Sequence, residues 1–307
     1  MMKNRNNPLI CDPEKGSCEI PGFSEENEAS LPKASEKPLW VTYFTDPICS
    51  SCWGIEPQLR KLKMEYGALL EIKYHMGGLL PDWSYNSGGI SKPADVASHW
   101  DEVSLHYDMP IDGDVWLEDP LDSSYPPSIA FKAAQMQDTD KALLFLRRIK
   151  EMVFLEKKNI SKWEHLRAAA VETGLDPVKL ASDAKGSAKQ YFQEDLQLAG
   201  HWNVRGFPTL FFTDDKGNQE KIYGVKPYHV YEAAILSLLP GAEAEKVRPD
   251  QDWQSLFSTY PSMTRKELSV IAGLSSADAE SLLGNLVTEG KLKLSSTKNG
   301  KIWKIKN

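Results

Sequence analysis

The chain has 307 residues, 41% of them hydrophobic and 26% charged, so it is long enough to bury a full core without disulfide staples. Its formal net charge of -7 argues against a nucleic-acid binder, whose footprint should be basic. No run approaches the ~18 apolar residues of a membrane span, and the polar start, Met1 to Pro8, lacks the apolar stretch of a secretory signal. The expected location is the cytoplasm. There the four cysteines, at 11, 18, 49 and 52, are more naturally catalytic or metal-binding than structural.

Residues 1–37 read as a flexible N-terminal tail that carries Cys11 and Cys18. Leu39 to Phe44, rich in β-branched and aromatic residues, predicts the first strong strand. A helical pattern runs from Cys49 to Tyr66 with Ile55, Leu59, Leu62 and Tyr66 on one face, and Gly67 ends it. Leu70 to Met76 alternates and predicts the next strand. From Gly77 to about Pro126 the expectation is loops with a short helix at Ala94 to Tyr107. The run Asp112 to Ser128 is either a packed Ω-type loop or a border of a binding groove.

Five helices are then expected: Pro127–Gln137, Lys141–Lys157, Lys162–Thr173, Pro177–Ala184 and Ala188–His201. Ser161 and Asp176 are read as N-caps. Pro208 to Thr213 is a buried-type strand, Asp214 to Asn218 a turn, Glu220 to Gly224 the returning strand, and Tyr228 to Leu239 a helix. Residues 242–252 are a linker. In the remainder, a Thr264-capped helix, a turn at Gly273, a helix over Ser276–Thr288 and a hairpin at Asn299-Gly300 give a winged-helix-like order. The expected division is therefore the tail, a thioredoxin-like unit at 38–241 with a helical insertion at about 91–202, and a winged-helix-like unit at 253–307. The fold class is α/β.

Cys49-Ser50-Ser51-Cys52 lies between a strand and a helix. Free backbone N–H groups and the dipole at a helix start favour an anion, so a thiolate at Cys49 would be stabilised there. A two-residue spacer brings the second sulfur within disulfide reach. Phe207-Pro208 precedes the later strand, and a cis bond there would bring a backbone edge to the cysteines. Trp53, directly after the pair, is expected to flank the site. A Cys₄ zinc site needs a second close pair; Cys11 and Cys18 are six residues apart inside their loop and match poorly. Those two are either an auxiliary dithiol exchanging with the main pair or thiols without a role. The six histidines show no metal-ligand spacing, and no metal or cofactor is called for.

Asp46 to Trp53 and Val204 to Thr209 resemble the active site and cis-proline loop of the DsbA family of thioredoxin-like oxidoreductases, most closely its cytoplasmic FrnE-like branch. The resemblance covers about residues 38–240. It implies Cys49 as nucleophile, Cys52 as resolving cysteine, and Phe207, Pro208 and Trp53 around a substrate groove, with protein or small-molecule thiols and disulfides as substrates. The Ser-Ser spacer departs from the Pro-His of strongly oxidising members. Asp46-Pro47, Cys52-Trp53 and Glu56-Pro57 also resemble a thioredoxin-like family of Clp-protease adaptors, which work by binding a partner. Two functions are therefore expected in order: a disulfide oxidoreductase, then an adaptor, with a redox-sensing regulator beside them. The C-terminal unit is not expected to read DNA sequence, because its second helix has Asp278 and Glu280 and no Lys or Arg.

Overall fold

The computed structural model describes residues 11–12, 16–19, 37–84, 92–249 and 252–306. Most of the expected N-terminal tail, parts of the 77–126 segment and two residues of the linker lie outside the described residues.

Two short strands come first, β1 (Cys11–Asp12) and β2 (Ser17–Glu19). The central strand β3 (Leu39–Thr45) is buried along its whole length. Helices α1 (Ser50–Gly54) and α2 (Glu56–Tyr66) carry the chain across to β4 (Leu70–Met76), which runs parallel to β3. The single expected helix is thus two helices, interrupted at Ile55. Pro57 near the start of a fresh helix loses no intrahelical bond, whereas mid-helix it would.

The insertion is α3 (Pro93–Tyr107), α4 (Val115–Glu118), α5 (Tyr125–Gln137), α6 (Thr139–Leu155), α7 (Trp163–Glu172), α8 (Pro177–Lys185) and α9 (Ala188–His201). Asp176 caps α8 as expected, accepting from Val178 and Lys179 N–H. Ser161 does not cap α7; Lys162 holds that position, and the Ser161 hydroxyl bonds Asn159 instead. The run Asp112 to Ser128 is packed rather than open. Trp116 is buried edge-on against Trp100, ring centroids 5.2 Å apart.

β5 (Gly206–Phe207), β6 (Thr209–Asp214) and β7 (Gln219–Tyr223) follow, then α10 (Tyr228–Leu238). The main sheet has the order β4-β3-β6-β7, with β6 antiparallel to both neighbours. Side chains alternate across it with the two-residue strand period. Leu39, Val41, Tyr43, Leu210 and Phe212 join one core with α2 and α10. Phe44 and Phe211 join a larger core with the insertion and both site cysteines.

After a 3₁₀ turn (Ala242–Glu245), the linker is tacked down by Val247 N–H donating to Glu65 O. The last unit is α11 (Trp253–Thr259), β8 (Ser262–Thr264), α12 (Arg265–Ala272), α13 (Ser276–Thr288), β9 (Leu292–Thr297) and β10 (Gly300–Ile305), with sheet order β8-β10-β9 and its own apolar cluster. Thr264 and Glu267 form a reciprocal capping box at the start of α12. The hairpin loop is Lys298-Asn299, one residue earlier than the Asn-Gly reading, because Thr297 pairs with Gly300. Asn299 then donates to Asp101 and to Ile111 O, and a Cβ at Gly300 would meet Pro110 at 2.9 Å. No described helix is long and apolar enough to cross a membrane.

Candidate thiol site

The site is built where β3 leaves the sheet. The Asp46 carboxylate accepts from Ile48 N–H at 3.0 Å, Leu79 N–H at 2.8 Å and the Ser124 hydroxyl at 2.8 Å. Three donors fix the turn that places Cys49 at the N-cap of α1. Burial nevertheless dominates and raises the Asp46 pKa to about 6.

Cys49 is the N-cap of α1, and its Sγ accepts from Cys52 N–H at 3.1 Å. Both are free thiols and both are fully buried. This corrects the expectation of a stabilised thiolate at Cys49. Burial, followed by the hydrogen bond and charge of Cys52, pushes the Cys49 thiol well up. Burial also opposes charge on Cys52, but the Cys49 thiol, the Lys150 ammonium and the Thr45 and Tyr43 hydroxyls outweigh it and bring that thiol down. In this closed form the more acidic thiol is therefore the second one.

Lys150 has no exposed side-chain surface and pairs with Glu56 at 2.9 Å. Burial works against the Glu56 charge, yet Lys150, Arg147 and Arg60 together hold its carboxyl at about 2. Sequence reasoning missed this pair. The signal was present: in α6, Lys150 falls on the apolar stripe of Leu146, Val153 and Phe154, where a solvated lysine would not be placed.

Phe207–Pro208 is cis. Phe207 contributes its backbone rather than its ring to the site: it pairs with Cys18, while its ring sits against Gly77, where a Cβ would meet it at 1.7 Å. Trp53 does not line a groove, contrary to expectation. It is fully buried, donates through Nε1 to Pro110 O at 3.0 Å, stacks on Phe154 and lies under the Arg147 guanidinium.

The described part of the N-terminal segment is not a loose tail. Ser17 and Cys18 are buried because β2 pairs antiparallel with β5, Cys18 opposite Phe207 and Glu19 opposite Gly206. Cys18 is disulfide-bonded, its Sγ is 3.4 Å from Cys49 Sγ, and the backbone register sets Cys11 across from it. The side chain of Cys11 lies outside the described residues.

The C-terminal unit is docked close to this site by buried charges. Arg60 donates to Ser262 O at 2.7 Å and pairs with Glu267 at 3.2 Å. Arg147 forks onto both oxygens of Glu267 at 2.8 and 3.1 Å. Lys304 pairs with Glu151 at 2.8 Å. A cleft of about 890 Å³ runs between α2, α6 and this unit, lined by Arg60, Lys63, Leu143, Arg147, Arg148 and Tyr260 among others. Among the described residues, no group of three or more His, Cys, Asp and Glu side chains is placed to hold a metal ion.

The thioredoxin family model described as "Thioredoxin" matches residues 43–233. The ClpXP adapter protein SpxH of Halalkalibacterium halodurans is 34% identical over 310 residues, covering 99% of each chain. SpxH of Bacillus subtilis is 30% identical over 88% of this chain and 90% of its own. Among solved structures, a putative protein disulfide isomerase from Nitrosomonas europaea matches at 22% identity and TM-score 0.57, covering 68% of this chain and 98% of its own. The cytosolic disulfide reductase DsbM of Pseudomonas aeruginosa matches at 22% identity and TM-score 0.53, covering 66% and 98%. At that identity the two structures speak for the fold alone.

Proposed function

Because the chain belongs to the SpxH family, on a thioredoxin fold, we propose that it works as an adaptor that presents a protein partner to a ClpXP-type protease rather than as a general disulfide oxidoreductase. The observation that carries this reading is the closure of the cysteine site. Cys49 and Cys52 are both fully buried, and β2 lies along the β5 edge that a substrate peptide would need. An oxidoreductase acting on outside substrates needs its attacking sulfur accessible and anionic; here burial pushes Cys49 the other way.

We read the chain as a thioredoxin-like unit at 38–241, with a helical insertion at about 91–202, and a winged-helix-like unit at 253–307. The adaptor reading uses all of these parts. The likeness to SpxH runs along 99% of both chains, so it spans the C-terminal unit as well as the thioredoxin fold. A cytoplasmic location goes with it, since a ClpXP partner works there.

The test begins with a client whose half-life lengthens when the chain is deleted. That client is purified and incubated with ClpXP and ATP, with and without the chain. Degradation should accelerate with the chain, and Cys49→Ser/Cys52→Ser should keep the acceleration. Failure to accelerate, together with catalytic insulin reduction lost in Cys49→Ser, would return the chain to the oxidoreductases.

A further inference from the structure

The β2 segment occupies the place of a guest. An extended peptide that adds a strand to an open sheet edge is a general mode of peptide recognition. Here the edge is Gly206–Phe207, immediately before the cis Pro208, and the added strand is the chain's own Ser17–Glu19. The fit is close. A Cβ on Gly206 would lie 2.2 Å from Cys18 O, so only glycine lets the two backbones approach this far. Val225 N–H donates to Gly16 O at 2.6 Å and pins the strand's entry. The strand delivers a disulfide-bonded sulfur, Cys18, to within 3.4 Å of the free Cys49 thiol.

We propose that the N-terminal segment is a tethered substrate of the chain's own cysteine pair, forming an internal disulfide relay that also closes the groove to other peptides. The chain has four cysteines and two of them are free, so the proposal pairs Cys18 with Cys11, its cross-strand neighbour. Cys49 passes its proton to the neighbouring Cys52 thiolate and attacks Cys18 Sγ. The Cys49–Cys18 bond forms, the Cys18–Cys11 bond breaks, and Cys11 leaves as a thiolate that takes up a proton. Cys52, as thiolate, then attacks Cys49 Sγ and releases Cys18. One disulfide has moved from Cys11–Cys18 to Cys49–Cys52, two thiols have moved the other way, and no outside oxidant or reductant is consumed. The relay runs equally in reverse.

Tethering matters because it makes the exchange intramolecular. A short flexible link gives an effective concentration on the order of millimolar, which an outside peptide must match to displace β2. Redox chemistry from outside therefore reaches Cys49 through this segment, or after the segment has left. The relay concerns the chain's own sulfurs and stands independently of whether a protease partner is bound.

The test traps the intermediate. Full-length Cys52→Ser protein is equilibrated in a glutathione redox buffer, quenched by alkylation and digested with trypsin without reduction. Cleavage after Arg5, Lys15, Lys33 and Arg60 puts Cys11 on peptide 6–15, Cys18 on 16–33 and Cys49 on 34–60. The expected product is 16–33 linked to 34–60 in the monomer, with 6–15 alkylated. Adding Gly206→Ala should cut its yield several-fold by pushing β2 off β5. The proposal fails if 6–15 stays linked to 16–33 while Cys49 is alkylated or glutathionylated. It also fails if 34–60 links to 6–15, if the link joins two chains, or if Gly206→Ala leaves the yield unchanged. Should Cys52→Ser not fold, Cys52→Ala gives the same readout, because it too removes the thiol that would resolve the Cys49–Cys18 bond.

Discussion

Glu267 and Trp53, 214 positions apart in the numbering, share one guanidinium: Arg147 forks onto the Glu267 carboxylate at 2.8 and 3.1 Å and lies 4.3 Å from the centre of the Trp53 ring. Trp53 directly follows Cys52, so the C-terminal unit touches the thiol site through two contacts. Glu267 is fully buried, and Arg60 also pairs with it. Removing its charge takes an ion-pair partner from two guanidinium groups in a low-dielectric interior, although Arg147 keeps Glu151 at 2.9 Å. Glu267→Gln should cost about 3–5 kcal/mol of stability, the usual result of breaking one side of a buried pair. Urea unfolding monitored by tryptophan fluorescence measures it. A loss below about 0.5 kcal/mol, the scale of an ordinary surface substitution, would mean that the unit is held by its apolar contacts instead.

The second prediction concerns which sulfur carries the charge. Lys150 lowers the Cys52 thiol, and burial raises that of Cys49. Lys150→Met combined with Glu56→Gln removes the pair without leaving either charge alone. Thiolate absorbance near 240 nm should then appear at higher pH than in the parent chain. Cys49→Ser should keep an early thiolate step and Cys52→Ser should lose it. The reverse pattern would put the anion on Cys49 and overturn the assignment.

The third prediction is the shape of stability against pH. Glu56 and Glu151 each sit at about 2, below their ordinary 4.5. A depressed carboxylate contributes stability that is present above about pH 4.5 and lost as pH falls toward 2. Asp46 is the opposite case, raised from 3.8 to about 6. Its contribution is full below about pH 3.8 and lost as pH rises through 6. Stability should therefore climb from pH 2 to about 4.5, fall by about 1–2 kcal/mol as pH passes 6, and then level off, part of the Asp46 contribution being already lost below pH 4.5. Asp46→Asn should flatten only the upper limb. Chemical denaturation at pH 3, 4.5, 6 and 7 gives the curve; an unchanged upper limb in the variant would count against Asp46 as its source.

Much of this architecture could be read from local pattern. The all-buried strands Leu39–Thr45 and Thr209–Asp214 are runs of apolar and β-branched residues, and the helix over Ala188–His201 has the expected bounds. The Thr264 cap and the cis Phe207–Pro208 bond follow from residue type at a known kind of position. What escaped was set by distant contacts. Cys18 looked like part of a polar tail because nothing near it in sequence shows that Gly206 would receive it. Cys49 looked like a stabilised thiolate because helix position favours an anion, whereas the covering strand that buries it comes from 31 residues away. Trp53 looked like a groove wall until α6 supplied Phe154 and Arg147 to cover it.

The last prediction is that the C-terminal unit does not read DNA sequence. Its exposed α13 face offers Ser276, Asp278, Ser281 and Asn285, and no cation. Glu280 is paired with Lys301 at 2.8 Å. The lysines of the hairpin are largely engaged by carboxylates: Lys298 by Asp101 and Asp114, Lys304 by Glu151, Lys291 by Glu289. Freeing Lys304 would leave a buried carboxylate short of a partner, so phosphate contact there works against the docking of the unit. Any residual affinity should be independent of sequence and fall steeply with salt, as counterion release requires. Binding-site selection from random duplexes at physiological salt should return no motif. A reproducible motif bound far more tightly than bulk DNA would overturn this reading and make the unit a regulator coupled to the cysteine pair through Glu267 and Arg147.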